Sequence, residues 1–116
     1  FNTLAVAFLH LQKNGLFMII FPNAKINLGL RVIEKRKDGY HSIETIFLPV
    51  DLCDLLEFVE TNNVKPSLDV TGIPVEGNPE DNLILKAWKI LNKLYSIPPV
   101  HAHLHKIIPI GAGLGY

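Results

Sequence analysis

Glycine recurs at every second position in "KIIPIGAGLGY", the run from Lys106 to Tyr116, directly after an apolar, strand-like stretch. Backbone N–H groups bared in this way can converge on phosphate oxygens, and glycine tolerates the positive φ that such turns demand. Neither familiar fingerprint is complete. A dinucleotide GxGxxG would put glycine at 111, 113 and 116, where Tyr116 stands, and GxxxxGK[ST] has no room. On spacing alone, a phosphate cradle and a plain strand-ending turn explain "GAGLG" equally well.

A cation in apolar company is the second signal. Lys25 lies in "AKINLGLRV", where a charge either finds a partner or an anionic ligand, or else snorkels at a sheet surface. Asn27, two residues on, shares its strand face. Tyr40 and His41 follow the turn "KDG" and pair an aromatic face with a hydrogen-bonding ring. His101, His103 and His105 alternate along one strand. Same-face neighbours on a strand stand about 6.6 Å apart, close enough for two rings to share an ion. The nearby acids are scattered and no cysteine is close, so a solvated or covered strand face is the preferred reading, and no metal site is assigned.

These residues need elements to position them. "AKINLGLRV" alternates strictly, predicting a strand with Ile26, Leu28, Leu30 and Val32 on a buried face and Lys25, Asn27, Gly29 and Arg31 on the other. Asp38-Gly39 is a two-residue hairpin signal. "SIETIFLPV" and "DLLEFVE" read as two strands broken at Pro49 and Asp51, and "SLDVTG" as a short further one. "GIPVEGNPEDN" is loop and offers Asp81 or Asn82 as the N-cap of a helix over "LILKAWKILNKLY". Ile84, Ala87, Trp88, Leu91 and Leu94 or Tyr95 form its apolar stripe, and "SIPP" stops it. "VHAHLHKII" is the last strand, with Val100, Ala102 and Leu104 opposite the histidines. The fold class expected is α+β, with a mostly antiparallel sheet and one main helix.

Composition sets the outer limits. The chain has 116 residues, is 48% hydrophobic and balances 11 basic against 11 acidic side chains. That suits one globular domain with no global field for nucleic acid or an anionic membrane, so any bound anion is held by local geometry. A single cysteine, Cys53, excludes an internal disulfide and suits a reducing, cytoplasmic setting; it reads as a small buried apolar residue. Residues 1–17 begin with Phe, and the only methionine is Met18. They lack a basic n-region and a cleavage site, and their apolar run is far short of a membrane span. We read 1–17 as an extension, with an amphipathic docking helix as the rival, and 18–116 as the domain.

Taken together, "PNAKINLGLRVIEKRKDGYHSIETIF", "PVEGNPEDNLILKAWKIL" and "KIIPIGAGLG" resemble, in order and spacing, the N-terminal part of the 4-diphosphocytidyl-2-C-methyl-D-erythritol kinase family within the GHMP kinases. The resemblance covers about residues 18–115. It implies the N-terminal portion of a GHMP kinase domain (ribosomal protein S5 domain 2-like), with the rest lying beyond this chain. It implies ATP-dependent phosphorylation of the 2-hydroxyl of a cytidine-diphosphate-linked methylerythritol, with Mg2+ as the family's companion ion. Lys25 matches the lysine at the reacting centre and Asn27 a substrate-pocket asparagine. Tyr40 and His41 match the pair that recognises cytosine. Pro109, Gly111, Ala112, Gly113, Leu114 and Gly115 match the start of the ATP phosphate loop, with Lys106 near the nucleotide, and Asn82 and Leu83 match part of the adenine pocket. Tyr116 departs from the pattern, where glycine is expected. The family's catalytic aspartate lies further on, so the chain is expected to hold the front of a kinase whose cation and ring pair converge on one cleft. The resemblance leaves oligomeric state open. The contrasting reading is a non-catalytic ligand-binding or interaction module of the same shape.

Overall fold

A computed structural model describes residues 17–115. The readings of residues 1–16 and of Tyr116 fall outside them. In chain order the elements are β1 (Phe17–Ile20), β2 (Asn23–Lys35), β3 (His41–Cys53), β4 (Leu55–Glu60), β5 (Ser67–Gly72), a single 3-10 turn (Pro79–Asp81), α1 (Leu83–Tyr95) and β6 (Val100–Lys106). Four strands form one sheet in the order β1-β4-β6-β5, and β2 and β3 form a separate two-stranded ribbon. All pairings are antiparallel except β5 with β6, which is parallel. The α+β reading with one main helix stands.

The core lies between α1 and one face of the four-stranded sheet. Leu56 and Phe58 of β4 and Val100, Ala102 and Leu104 of β6 meet Ile84, Ala87, Trp88 and Leu91 of α1. The helix starts where Asn82 caps it, its Oδ1 accepting from Ile84 N at 2.9 Å. It ends at Ser96, whose left-handed φ of 51° turns the chain away. The Trp88 indole donates to the Pro98 carbonyl at 2.8 Å, so its one polar group is satisfied and the connection into β6 is fixed. Leu94 and Tyr95, the expected end of the stripe, are exposed instead.

Four expectations need correcting. Phe17, assigned to the extension, is the first residue of β1 and pairs with Val59, and Met18 and Ile20 pack on the core. The chain does not break at Pro49 and Asp51: β3 runs through both, and the interruption falls at Asp54. Pro49 is tolerated because, among the described residues, β3 pairs with β2 alone, leaving one edge with no ladder donor to supply. The hairpin turn has three residues rather than two. Gly39, at φ 88°, donates to Arg36 O, Arg36 N donates to Tyr40 O, and Asp38 Oδ1 accepts from Tyr40 N.

The fourth correction concerns the faces of β2. Leu28 pairs with Ile46 but Leu30 pairs with Thr45, so Gly29, at φ 74°, is an extra residue. It forms a bulge whose carbonyl is taken up by Thr45 Oγ1. Partners across a ribbon share a face. Leu30 and Val32 therefore join the face of Lys25 and Asn27 instead of that of Leu28. Neither face is buried: Leu28 is 50% and Ile46 67% exposed, and Leu30 and Val32 are equally open.

An open apolar ribbon is an association liability. The 116-residue chain alone is expected to self-associate. Replacing the cross-strand pair Leu28 and Ile46 by lysines should shift it toward monomer in sedimentation velocity. A monomeric wild-type profile would contradict this.

Candidate functional site

The site begins at a corner. Strands β5 and β6 run parallel with Gly72 beside Lys106, so their carboxyl ends leave the sheet together. The loop into α1 and the glycine loop, residues 107–115, both depart from that end. Open sheets commonly bind ligands at the carboxyl ends of parallel strands. Ile73 N donates to Lys106 O at 2.9 Å, and a Cβ on Gly72 would sit 2.3 Å from that oxygen, so glycine is required there. A cleft of about 270 Å³ opens between β5 and the following loop, lined by Leu68, Val70, Val75, Glu76, Asn78 and Asn82 among others. Asn82 is buried, holding the helix start, and Leu83 beside it is partly exposed.

Gly111, Gly113 and Gly115 have φ of 73°, 74° and 93°. Three alternate residues in the left-handed region are what the glycine spacing makes accessible, a backbone of the kind that can present N–H groups to an anion. A Cβ on Gly111 or Gly113 would touch nothing within 4 Å, so backbone conformation, not crowding, selects glycine there.

The far end of the loop meets Lys25. Lys25 N donates to Leu114 O at 2.8 Å. A Cβ on Gly115 would lie 3.4 Å from Lys25 Cγ, so the glycine rests against the lysine's stem. The ammonium donates to Asn27 Oδ1 at 3.0 Å and stands 4.6 Å from the centre of the Phe47 ring. Asn27 and Phe47 are cross-strand partners on the Lys25 face, which makes this a half-buried, oriented cation at the mouth of a glycine loop. The structure thus brings Lys25, Asn27, Leu114 and Gly115 together.

It does not bring Tyr40 and His41 to them. His41 pairs with Lys35 at the other end of the ribbon, and Tyr40 lies in the turn with 73% of its surface exposed. From Pro49, opposite Lys25, to His41 is about 26 Å of strand at the usual rise. His41 lies eight residues from Pro49 along β3 with no residue inserted between them, so it shares the face of Lys25, and the two ends share a surface but not a cleft. Lys106, expected beside the nucleotide, is 2% exposed, and its Nζ donates to Asp54 Oδ2 at 2.7 Å. Its ammonium is committed to a buried ion pair rather than offered to a ligand.

Asp54 is the residue that pattern reading missed. Besides Lys106, it accepts from Ile107 N at 2.7 Å and Ile108 N at 2.8 Å through Oδ1. Burial alone would raise its pKa. The Ile108 N–H, the Lys106 ammonium and the Ile107 N–H outweigh that and hold it below the ordinary carboxylate range. The signal was an acid interrupting the otherwise apolar "LCDLL". The histidines make a polar ladder: His101 bonds Ser67, while His103 and His105 both bond Thr71 Oγ1. Among the described residues no group of three His, Cys, Asp or Glu can hold a metal ion. Cys53 is half-buried and unpaired.

Known proteins match this arrangement. The chain is 56% identical over 98 residues to 4-diphosphocytidyl-2-C-methyl-D-erythritol kinase of Azobacteroides pseudotrichonymphae. It is 54% identical over 100 residues to the protein of that name from Bacteroides thetaiotaomicron. Each match takes in 84% of this chain and 36% of the relative, so the chain spans about a third of the length of the curated relatives it matches. A crystal structure of 4-(cytidine 5'-diphospho)-2C-methyl-D-erythritol kinase superposes with a TM-score of 0.62 at 35% identity, over 84% of this chain and 34% of that one. No protein-family model matches the chain.

The Asp54 carboxylate gives the fold an acid-sensitive point. Its folded-state pKa lies below the unfolded value. Its stabilisation is therefore complete above the ordinary carboxylate pKa and is lost as pH falls through the depressed one. Asp54→Asn should remove that part of the acid dependence of the urea midpoint. At neutral pH it should cost about 3–5 kcal/mol, because the buried Lys106 ammonium loses the Asp54 counter-charge. A variant as stable as wild type at pH 7 would contradict this.

Proposed function

We propose that this chain, which corresponds over most of its length to a segment of the 4-diphosphocytidyl-2-C-methyl-D-erythritol kinases, serves an ATP-dependent kinase. The reaction is phosphorylation of the 2-hydroxyl of 4-diphosphocytidyl-2-C-methyl-D-erythritol, in the non-mevalonate route to isoprenoid precursors. The reading rests on one observation above the rest: the Lys25 backbone holds Leu114 while its side chain lies against Gly115. That contact links the one oriented cation of the apolar strand to the loop best suited to phosphate oxygens.

In this reading the chain's own groups divide the work. The backbone of Pro109, Gly111, Ala112, Gly113, Leu114 and Gly115 supplies N–H donors and room for the ATP phosphates. Asn82, Leu83 and the neighbouring cleft take the adenine. The Lys25 ammonium, oriented by Asn27, stabilises charge on the attacking oxygen and the transferring phosphoryl group. Tyr40 stacks on the cytosine and His41 hydrogen-bonds its edge. ATP supplies the phosphoryl group when bound, and Mg2+ is expected to arrive with it. The described residues offer no carboxylate cluster for that ion. Lys106 contributes by holding the corner from which the loop departs. No helix among the described residues is long and apolar enough to cross a membrane, and we place the kinase in the cytoplasm, acting on a small-molecule substrate without nucleic acid.

In the full-length kinase, Lys25→Ala should lower kcat by roughly two to three orders of magnitude while the fold is retained. Undiminished turnover by that variant would sink the proposal. Tyr40→Ala and His41→Ala should raise KM for the cytidine substrate and leave KM for ATP unchanged. The 116-residue chain by itself should show no ATP-dependent turnover in a coupled assay, because positioning of both substrates is incomplete in it.

A further inference from the structure

The glycine loop is held at both of its ends, and the two holds meet at one residue. At its start, Asp54 Oδ1 accepts from two consecutive backbone donors, Ile107 N at 2.7 Å and Ile108 N at 2.8 Å. Two N–H groups converging on one oxygen fix the direction in which the chain leaves β6. At its end, Leu114 O accepts from Lys25 N. The strand carrying Lys25 is tied back to the same place, because Asp54 N donates to Pro22 O at 2.9 Å, just before β2 begins. A circuit results: Asp54 to the loop's entry, the loop to Lys25, and β2 back to Asp54.

We infer that Asp54 is a positioning residue for phosphate transfer, setting the glycine loop's entry with its carboxylate and the Lys25 strand with its amide. The inference rests on the nucleotide reading of residues 109–115. Asp54 is buried beneath the loop and is not itself a ligand for substrate or nucleotide. Its carboxylate does two separable things. Oδ2 neutralises the Lys106 ammonium, which serves stability. Oδ1 orients the Ile107 and Ile108 amides, which serves loop placement.

An amide oxygen at position 54 can still accept the two N–H groups, whereas a methyl cannot. Both leave Lys106 without its counter-ion. A purely stabilising role therefore moves Asp54→Asn and Asp54→Ala together, and a positioning role separates them.

The test uses the full-length kinase at a temperature where circular dichroism shows every variant folded. Asp54→Ala should raise KM for ATP about tenfold or more, with KM for the cytidine substrate unchanged, since small displacements of a binding loop are costly. Asp54→Asn should melt lower than wild type yet keep KM for ATP within about threefold. Should Asp54→Ala fail to fold, Ile107→Pro takes its place. It deletes one donor at a half-exposed side chain, leaves the ion pair intact, and should also raise KM for ATP selectively. Equal KM shifts in Asp54→Asn and Asp54→Ala, or wild-type KM for ATP in Asp54→Ala or Ile107→Pro, would overturn the inference alone. A wild-type enzyme with no dependence on ATP would instead remove the nucleotide reading and this inference with it.

Discussion

A carboxylate taken out of water must find donors close at hand, and the Asp54 carboxylate organises this chain because it has found three. The Lys106 ammonium offsets its charge, and two adjacent backbone amides complete its hydrogen bonding. An ion pair of this kind adds little net stability over a well-packed apolar pair, but its geometry is demanding. Lys106 must end β6 on the core side, β4 must begin where β3 stops, and the chain beyond Ile108 must leave in one direction. The register of β4 against β6, with Leu55 opposite His105, is consistent with that requirement.

The glycine loop inherits its placement from this corner and its shape from its own sequence. Alternating glycines in the left-handed region have little preference of their own between left- and right-handed backbone. Such a segment needs anchors at both ends, or it would carry a large entropic cost into any complex. Lys25 provides the second anchor through a backbone hydrogen bond, which leaves its ammonium available for Asn27 and Phe47. Separating the structural hold from the charged end lets one residue join the loop to the strand and still present a cation.

Much of this was legible in the sequence, and the parts that were not share a cause. Period-two alternation found β6 and its buried Val100, Ala102 and Leu104, and the 3.6 period found α1, because both reflect one face against one core; of the two caps offered, Asp81 and Asn82, the fold uses Asn82. The alternation in β2 gave the wrong faces, since the glycine inserted at position 29 reverses Leu30, Arg31 and Val32 while leaving the pattern looking intact, until a second register shift between Val32 and Glu34. Pro49 suggested a break because its missing N–H matters only inside a sheet, and strand neighbours are not written in the chain. Asp54 and Lys106 lie 52 residues apart, and Lys25 and Leu114 are also brought together only by the fold. The glycine spacing, by contrast, reported local backbone preference directly, and all three described positions have the φ that it implied.

The bulge at Gly29 also bears on how a long substrate could be handled. Without it, strict alternation would leave Leu30 and Val32 on the face of Ile26 and Leu28, opposite Lys25. With it, Lys25, Asn27, Phe47, Leu30, Val32, Ile43 and His41 share one continuous face. The polar ends of that face are the ammonium at the loop and the imidazole beside the turn, with apolar side chains between them. Recognition at one end and charge stabilisation at the other suit a ligand with distinct head and reacting groups, whose remote binding energy is used to hold the reacting end in place. A compact substrate could not reach both. A cytidine-diphosphate-linked alcohol, the substrate proposed above, has that extended form.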